Sequence, residues 1–265
     1  MNAGDVQMTA ATAFDLTGRV ALVTGGNRGI GRAIALGFGQ AGAAVAIFGR
    51  NVEKNAEALA ELKAGGRRAM ALAVDVSDRA ALEPAFRRVE AELGPVDILV
   101  NNAGIANVSG GILQETAEAW DAVIETQLNA VFLLSKLAAA SMAARKRGKI
   151  INLASMYSYF GAGLVPSYST AKGAIVQLTK SMAIELAAHG IQVNAIAPGW
   201  VETDMTAVIR TEALKAMNDE ILQRTPAGRW GKPEEMTGTA IFLASSAADF
   251  VTGETIRVDG GYAIR

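Results

Sequence analysis

The 265-residue chain has no cysteine and only one histidine, His189. That removes disulfide frameworks and thiol nucleophiles, leaves no Cys/His set for zinc, and agrees with a reducing cytoplasm. His189 falls near the end of a helical pattern, where capping is expected rather than metal ligation. An excess of charge of either sign is also missing, since 25 Lys and Arg face 26 Asp and Glu. With no basic field to draw nucleic acid or an anionic membrane, the expected partner is a small molecule. Gly, Lys or Arg interrupts every apolar stretch before it reaches the length that spans a bilayer. Met1 to Ala13 lacks the basic start and apolar core of a signal peptide. It reads as a frayed tail, residues 1–13, ahead of one domain, residues 14–265.

What remains is 51% apolar and 19% charged, a balance that fits strands buried on both faces. Short β-branched runs alternate with longer Ala/Leu-rich segments of helical period, the pattern of βαβ units and a parallel sheet. The strands are expected at Val20 to Thr24, Ala44 to Phe48, Ala69 to Val74, Ile98 to Asn101, Lys149 to Leu153, Gln192 to Ile196 and Thr255 to Val258. Asn51 can cap a helix running to Ala64, and Ser77 one running to Leu93. Thr116 to Arg145 exceeds an ordinary helix and is expected as two, broken near Thr126 to Asn129. Tyr168 to Ala188 is a further long helix. Residues 199–230 carry no strand and read as a small insertion that could cover a substrate.

The first strand runs into Thr24-Gly25-Gly26-Asn27-Arg28-Gly29-Ile30-Gly31 and then an apolar helix. Bare N–H groups and the positive end of the helix dipole make that junction an anion site, and glycines allow close approach of a pyrophosphate. An acid at the end of the second strand would grip a ribose 2′-OH, whereas an arginine there accommodates a 2′-phosphate. This strand ends in Phe48-Gly49-Arg50, and Arg28 can bring a second guanidinium. NADP(H) is therefore expected in preference to NAD(H), against the alternative that both arginines are solvated surface charges. Asp75, beside Val76, is placed to meet the adenine edge or simply to cap its turn. Asn101-Asn102-Ala103-Gly104 follows the fourth strand, on the edge where open α/β sheets bind ligands, though such residues also make plain turns.

Tyr168 and Lys172 stand four apart and share a helix face, and Ser155 follows the fifth strand. A phenol with a pKa of about 10 needs a drop of roughly 3 units, about 4 kcal/mol, to act as a base near neutrality. A neighbouring ammonium can supply about 4 kcal/mol, against about 1 for a serine hydrogen bond. The group is thus expected to move a proton at Tyr168 during hydride transfer, with Ser155 holding the carbonyl oxygen.

Taken in order, Gly25-x3-Gly29-x-Gly31, Asn101 to Gly104, Ser155, Tyr168-x3-Lys172 and Pro198-Gly199 resemble the short-chain dehydrogenase/reductase family from Phe14 to the C-terminus. The resemblance implies a single Rossmann-like, doubly wound α/β domain with a seven-stranded parallel sheet, in a homotetramer. It also implies that Lys172 holds the nicotinamide ribose and that Val201 and Thr203 lie near the carboxamide. At the position where the family usually carries a relay asparagine, this chain has Gln127, which keeps the amide on a stem one methylene longer, so the relay is expected to be retained. Asn129 cannot simply replace it, because two residues along a helix point about 200° apart.

Within the family, Ile151 to Met156, Pro226 to Gly231 and Phe242 to Arg265 are similar to 2-deoxy-D-gluconate 3-dehydrogenases, 2-dehydro-3-deoxy-D-gluconate 5-dehydrogenases and gluconate 5-dehydrogenases. A sugar acid needs a cation such as Arg210, while Arg229 is a structural candidate. Met156, Tyr157, Tyr159, Phe160, Leu164 and Trp200 offer an apolar wall that suits instead a 3-oxoacyl-(acyl-carrier-protein) reductase or a small-ketone reductase. Arg145, Lys146, Arg147 and Lys149 would then be the docking patch for an acidic carrier. A nucleotide-sensing protein without turnover is a third reading, resting on Gln127.

Overall fold

In a computed structural model that describes residues 10–265, seven strands form one all-parallel sheet in the order β3-β2-β1-β4-β5-β6-β7. They are β1 Val20–Thr24, β2 Ala44–Gly49, β3 Ala69–Ala73, β4 Ile98–Asn101, β5 Gly148–Leu153, β6 Ile191–Pro198 and β7 Thr255–Val258. The helices are α1 Ala10–Ala13, α2 Gly29–Gln40, α3 Val52–Ala64, α4 Arg79–Leu93, α5 Ala117–Ile124, α6 Ala130–Arg145, α7 Pro166–Leu186, α8 Lys215–Arg224 and α9 Thr237–Ala244. Chain order reverses between β1 and β4, which opens a crevice at their carboxyl ends. Alternate residues of each central strand face opposite layers. Leu22 and Phe48 join Phe86 and Leu134, on α4 and α6. Val23 and Ile47 join Ile34 and Phe38 of α2 on the other face. The parallel sheet is therefore covered on both sides, which is why its strands read as nearly continuous apolar runs.

Several local expectations need correction. The tail is not frayed throughout: residues 1–9 lie outside the described residues, but Ala10–Ala13 forms a helical turn and the Ala13 carbonyl accepts from Ser246 at 3.1 Å. Asp78, not Ser77, caps α4, accepting from the Ala80 amide at 3.0 Å. Ser77 is spent on Asp75 instead, its hydroxyl donating at 2.7 Å. The expected break at Thr126 to Asn129 is a wide π-helical turn, Glu125–Asn129, that keeps α5 and α6 continuous. Arg79 grips Glu125 through two bonds of 2.5 Å and Asn129 donates to the same carboxylate at 2.7 Å, so the turn is tied from both sides.

The continuous helix Ala117–Arg145 is, by length and a mean hydropathy of 1.2, apolar enough to cross a bilayer, which no single run in the sequence had indicated. In the fold it lies against the sheet through Val131, Leu134, Ala138 and Met142. α7 begins two residues earlier than expected, with Pro166 in its first turn, where a missing N–H costs nothing. It passes into a 3-10 turn, Ala187–His189, closed by Gly190 in the left-handed conformation at φ 71°. Residues 199–230 hold no regular strand: a 3-10 segment, Asp204–Arg210, and α8 fill them, tethered by one bridge between Val201 and Gly231.

The amino end of the sheet is fastened by Asp97, just before β4. Its buried carboxylate accepts from the Val20 amide at 3.1 Å and pairs with Arg145 at 2.6 Å and Arg147 at 3.2 Å. Removing it leaves a part-buried guanidinium with no counter-charge, so Asp97→Ala should lower unfolding stability in urea by about 3 kcal/mol. A loss within 0.5 kcal/mol, the range of ordinary surface changes, would contradict this role.

Candidate active site

The carboxyl ends of the strands enclose a cavity of about 680 Å³, bordered by the residues assigned above to cofactor or catalysis except Thr24, Gly26 and Asn101. Its floor is the glycine turn. Gly25 adopts φ +64°, and a Cβ on Gly31 would come within 2.3 Å of the Gly25 carbonyl oxygen, so only glycine allows the turn to close this tightly. Thr24 braces the turn from below, its hydroxyl accepting from the Asn102 and Ala103 amides at 3.0 Å each. The Asn102 side chain returns the contact by donating to the Thr24 carbonyl at 2.9 Å. Asn102 is therefore a cross-link between the loops after β1 and β4, more than a plain turn residue.

Asn27 is committed in the same way. Its amide donates to Asn55 at 2.8 Å, and Asn55 donates to the Gly49 and Leu72 carbonyls, at 2.9 and 3.2 Å. Asn55 did not emerge from the sequence, although an asparagine on the buried face of α3 was the available sign. At the far end stand Arg28 and Arg50, joined by an unanticipated Lys54 in the first turn of α3. Asp75 sits beside them, closing its own turn on the Ser77 amide and hydroxyl at 3.0 and 2.7 Å and lying 3.6 Å from Arg50. Burial alone would raise its pKa, but the bonds from Ser77 and the Arg50 charge outweigh this and leave the carboxyl below its usual range.

At the opposite end α7 places Tyr168 and Lys172 beside Ser155, which follows β5. Lys172 is buried and donates from Nζ to the Leu153 carbonyl at 2.7 Å, with the nitrogen 5.5 Å from the centre of the Tyr168 ring. Ser158 donates to the Lys172 carbonyl at 2.6 Å, and Ser155 accepts from the Tyr157 amide at 3.2 Å, so the turn carrying Ser155 is fixed to α7. The π-helical turn presents Gln127, whose amide donates to the Ile105 carbonyl at 2.6 Å. Its Oε1 is buried and has no partner among the described residues. Glycine turn, cationic end and a tyrosine–lysine end make a donor set that fits a nicotinamide dinucleotide laid along the cavity.

The family model described as Enoyl-(Acyl carrier protein) reductase matches residues 25–263. The chain belongs to the short-chain dehydrogenase/reductase family. It is 42% identical over 249 residues to a 2-dehydro-3-deoxy-D-gluconate 5-dehydrogenase of Formosa agariphila, covering 94% of each chain. To the gluconate 5-dehydrogenase of Gluconobacter oxydans it is 41% identical over 251 residues, 95% of this chain and 97% of that one. Among solved structures, a gluconate 5-dehydrogenase from Burkholderia cenocepacia in complex with NADP and tartrate superposes with a TM-score of 0.91 at 41% identity. That alignment covers 97% of this chain and all of the other. This short-chain dehydrogenase/reductase is thus an oxidoreductase acting on CH–OH groups.

The electrostatics of its tyrosine differ from the simple expectation. Burial pushes the Tyr168 phenol above 10.0, and the Ser155 hydrogen bond pulls the other way without prevailing. Desolvation is the larger of the two effects, and Lys172, whose Nζ donates to the Leu153 carbonyl, makes no hydrogen bond to the phenol oxygen that would offset it. Burial also draws Lys172 down, to about 8.

Beside Tyr168 lies an aromatic cluster. Tyr157 meets the Tyr168, Phe160 and Trp200 rings edge-on at 6.3, 5.6 and 6.2 Å. Tyr159 and Leu164 do not belong to this wall: both are exposed, and the Tyr159 hydroxyl donates to the Thr255 carbonyl at 3.2 Å. Arg210 lies over Trp230 at 5.0 Å, and Arg224, which sequence alone did not single out, lies between Phe160 and Tyr262 at 4.7 and 4.4 Å. Arg229 is structural, forked onto Glu235 at 2.8 and 2.6 Å. Among the described residues no three of His, Cys, Asp or Glu gather as metal ligands.

Because burial disfavours the charged form, the folded chain binds fewer protons at Lys172 than the unfolded chain does between about 8 and 10.5. The cost is present in full below about 8 and is relieved as pH rises through that window. Lys172→Met should therefore be more stable than the parent at pH 7, by up to about 3 kcal/mol less whatever the stranded Leu153 carbonyl costs. The gain should vanish by the upper end of the window in urea unfolding. A difference that does not change with pH would contradict the burial argument.

Proposed function

We propose that this chain interconverts a ketone and the matching secondary alcohol of a sugar acid, with NADP(H) preferred and NAD(H) accepted. The observation that carries the reading is one cavity with three cations, Arg28, Arg50 and Lys54, at one end and Tyr168 with buried Lys172 and Ser155 at the other. A bound nicotinamide dinucleotide supplies the hydride or, oxidised, accepts it. Tyr168 gives a proton to the substrate oxygen on reduction and takes it back on oxidation, and a phenol held protonated by burial suits the donor role. Ser155 donates a hydrogen bond to the same oxygen. Lys172 offers its ammonium to the nicotinamide ribose hydroxyls, and the unpartnered Gln127 Oε1 is the place where a relay of protons to solvent would pass.

The turn Gly25 to Gly31 and the loop Asn102 to Gly104 line the pyrophosphate, and Asp75 and Val76 the adenine. Pro198, Gly199, Val201 and Thr203 flank the carboxamide. The insertion at 199–230 covers the substrate. A polyol chain presents C–H faces that pack on aromatic rings, and its carboxylate suits Arg210 or Arg224. Relatives named for gluconate and its deoxy-keto derivative, and a tartrate complex, support that class. The carrier-protein alternative keeps only Lys146 of its docking patch, because Arg145 and Arg147 are taken by Asp97 and Lys149 by Asp249 at 2.7 Å. A cytoplasmic homotetramer completes the proposal, with Phe132, Ile184 and Phe250 as exposed apolar side chains that subunit contacts could cover.

Turnover of gluconate and of 2-dehydro-3-deoxy-D-gluconate, followed by the absorbance of the reduced nicotinamide, is the test. NADP(H) should exceed NAD(H) in kcat/KM by about tenfold or more, the worth of a charge-assisted phosphate contact. Tyr168→Phe should lose about 10²- to 10⁴-fold in kcat while still binding dinucleotide. Preference for NAD(H), or turnover confined to uncharged ketones, would overturn the assignment.

A further inference from the structure

Five charged groups converge where the cavity meets α3 and the glycine turn: Arg28, Arg50 and Lys54 as cations, Asp75 and Asp204 as carboxylates. Lys54 donates to Asp204 at 3.0 Å, Arg28 lies 3.9 Å from the same oxygen, and Arg50 lies 3.6 Å from Asp75. The two carboxylates are held differently. Asp75 is anchored in its own turn by the Ser77 amide and hydroxyl. Asp204 meets only the two cations among the described residues, has a side chain 61% exposed, and begins the 3-10 segment Asp204–Arg210 of the covering insertion.

Charge then decides what a ligand must do. Three cations against two carboxylates leave a surplus of one positive charge, and a phosphate monoester brings nearly two negative charges. With both acids in place the cluster would turn net negative, and the phosphate would find Lys54 and Arg28 already neutralised. One carboxylate has to yield, and Asp204 is the one with no backbone anchor.

We infer that Asp204 occupies, in the free protein, the cation site that the 2′-phosphate of NADP(H) takes. It is then a specificity-determining residue that holds down affinity for the phosphorylated dinucleotide alone. It also links the start of the covering segment to which dinucleotide is bound: NAD(H) leaves the Lys54 contact intact, and NADP(H) displaces it. The inference rests on the NADP(H) reading above, and its test separates the two.

Direct binding of NADPH and NADH, measured by nicotinamide fluorescence, is compared across the parent, Asp204→Asn, Lys54→Met and the double variant. Asp204→Asn should bind NADPH about three- to fivefold more tightly, the scale of an exposed ion pair, and bind NADH as the parent does. Lys54→Met should weaken NADPH only, and in the double variant the gain from Asp204→Asn should shrink. NADPH affinity unchanged or weakened in Asp204→Asn would overturn the inference, showing that Asp204 steers Lys54 onto the phosphate instead. Equal tightening of both dinucleotides would overturn it too. A parent that binds NADH more tightly than NADPH would overturn the cofactor reading itself.

Discussion

The active end of this enzyme depends on one hydrogen bond, from the buried Lys172 ammonium to the Leu153 carbonyl. An ammonium out of water is costly unless its donors are spent. Here the spending fixes geometry, since Leu153 ends β5 and Lys172 belongs to α7. The bond thus locks a helix face onto the strand that delivers Ser155. Ser158 adds a second tie from that turn to the Lys172 carbonyl. Tyr168, one helical turn before Lys172, is held between them with its phenol kept protonated by desolvation.

At the other end of the cavity the controlling constraint is charge rather than burial. Arg28, Arg50 and Lys54 are all substantially exposed and are partnered by carboxylates of unequal anchorage. Exposed pairs are individually weak, so the site can exchange partners at little cost. Rigid chemistry at the buried end and exchangeable pairing at the exposed end suit a catalyst that must release one large cofactor and bind another in every cycle.

Much of this was legible in the sequence because it is local. Strand runs, the glycine turn and the Tyr168-x3-Lys172 spacing are written within a few residues, and the residues after each strand necessarily gather along one edge of a parallel sheet. What escaped was set by contacts between distant segments. Lys54 and Asp204 are 150 positions apart, and nothing near either one announces the other. The π-helical turn looked like a break because its ties, Arg79 to Glu125, come from a different helix. The basic group around Arg147 looked like a docking surface because Asp97 and Asp249, which pair with Arg145, Arg147 and Lys149, lie far off in sequence. The phenol of Tyr168 was expected to be lowered because proximity to a lysine was legible and the desolvation that raises it was not.

The most direct measurement is the titration of Lys172 itself, followed by NMR of protein carrying carbon-labelled lysine side chains. The buried ammonium bound to the Leu153 carbonyl should lose its proton with a midpoint of about 8. A midpoint near the 10.5 of a solvated lysine would mean that the side chain lies in water, and the link from α7 to Ser155 would not exist as described.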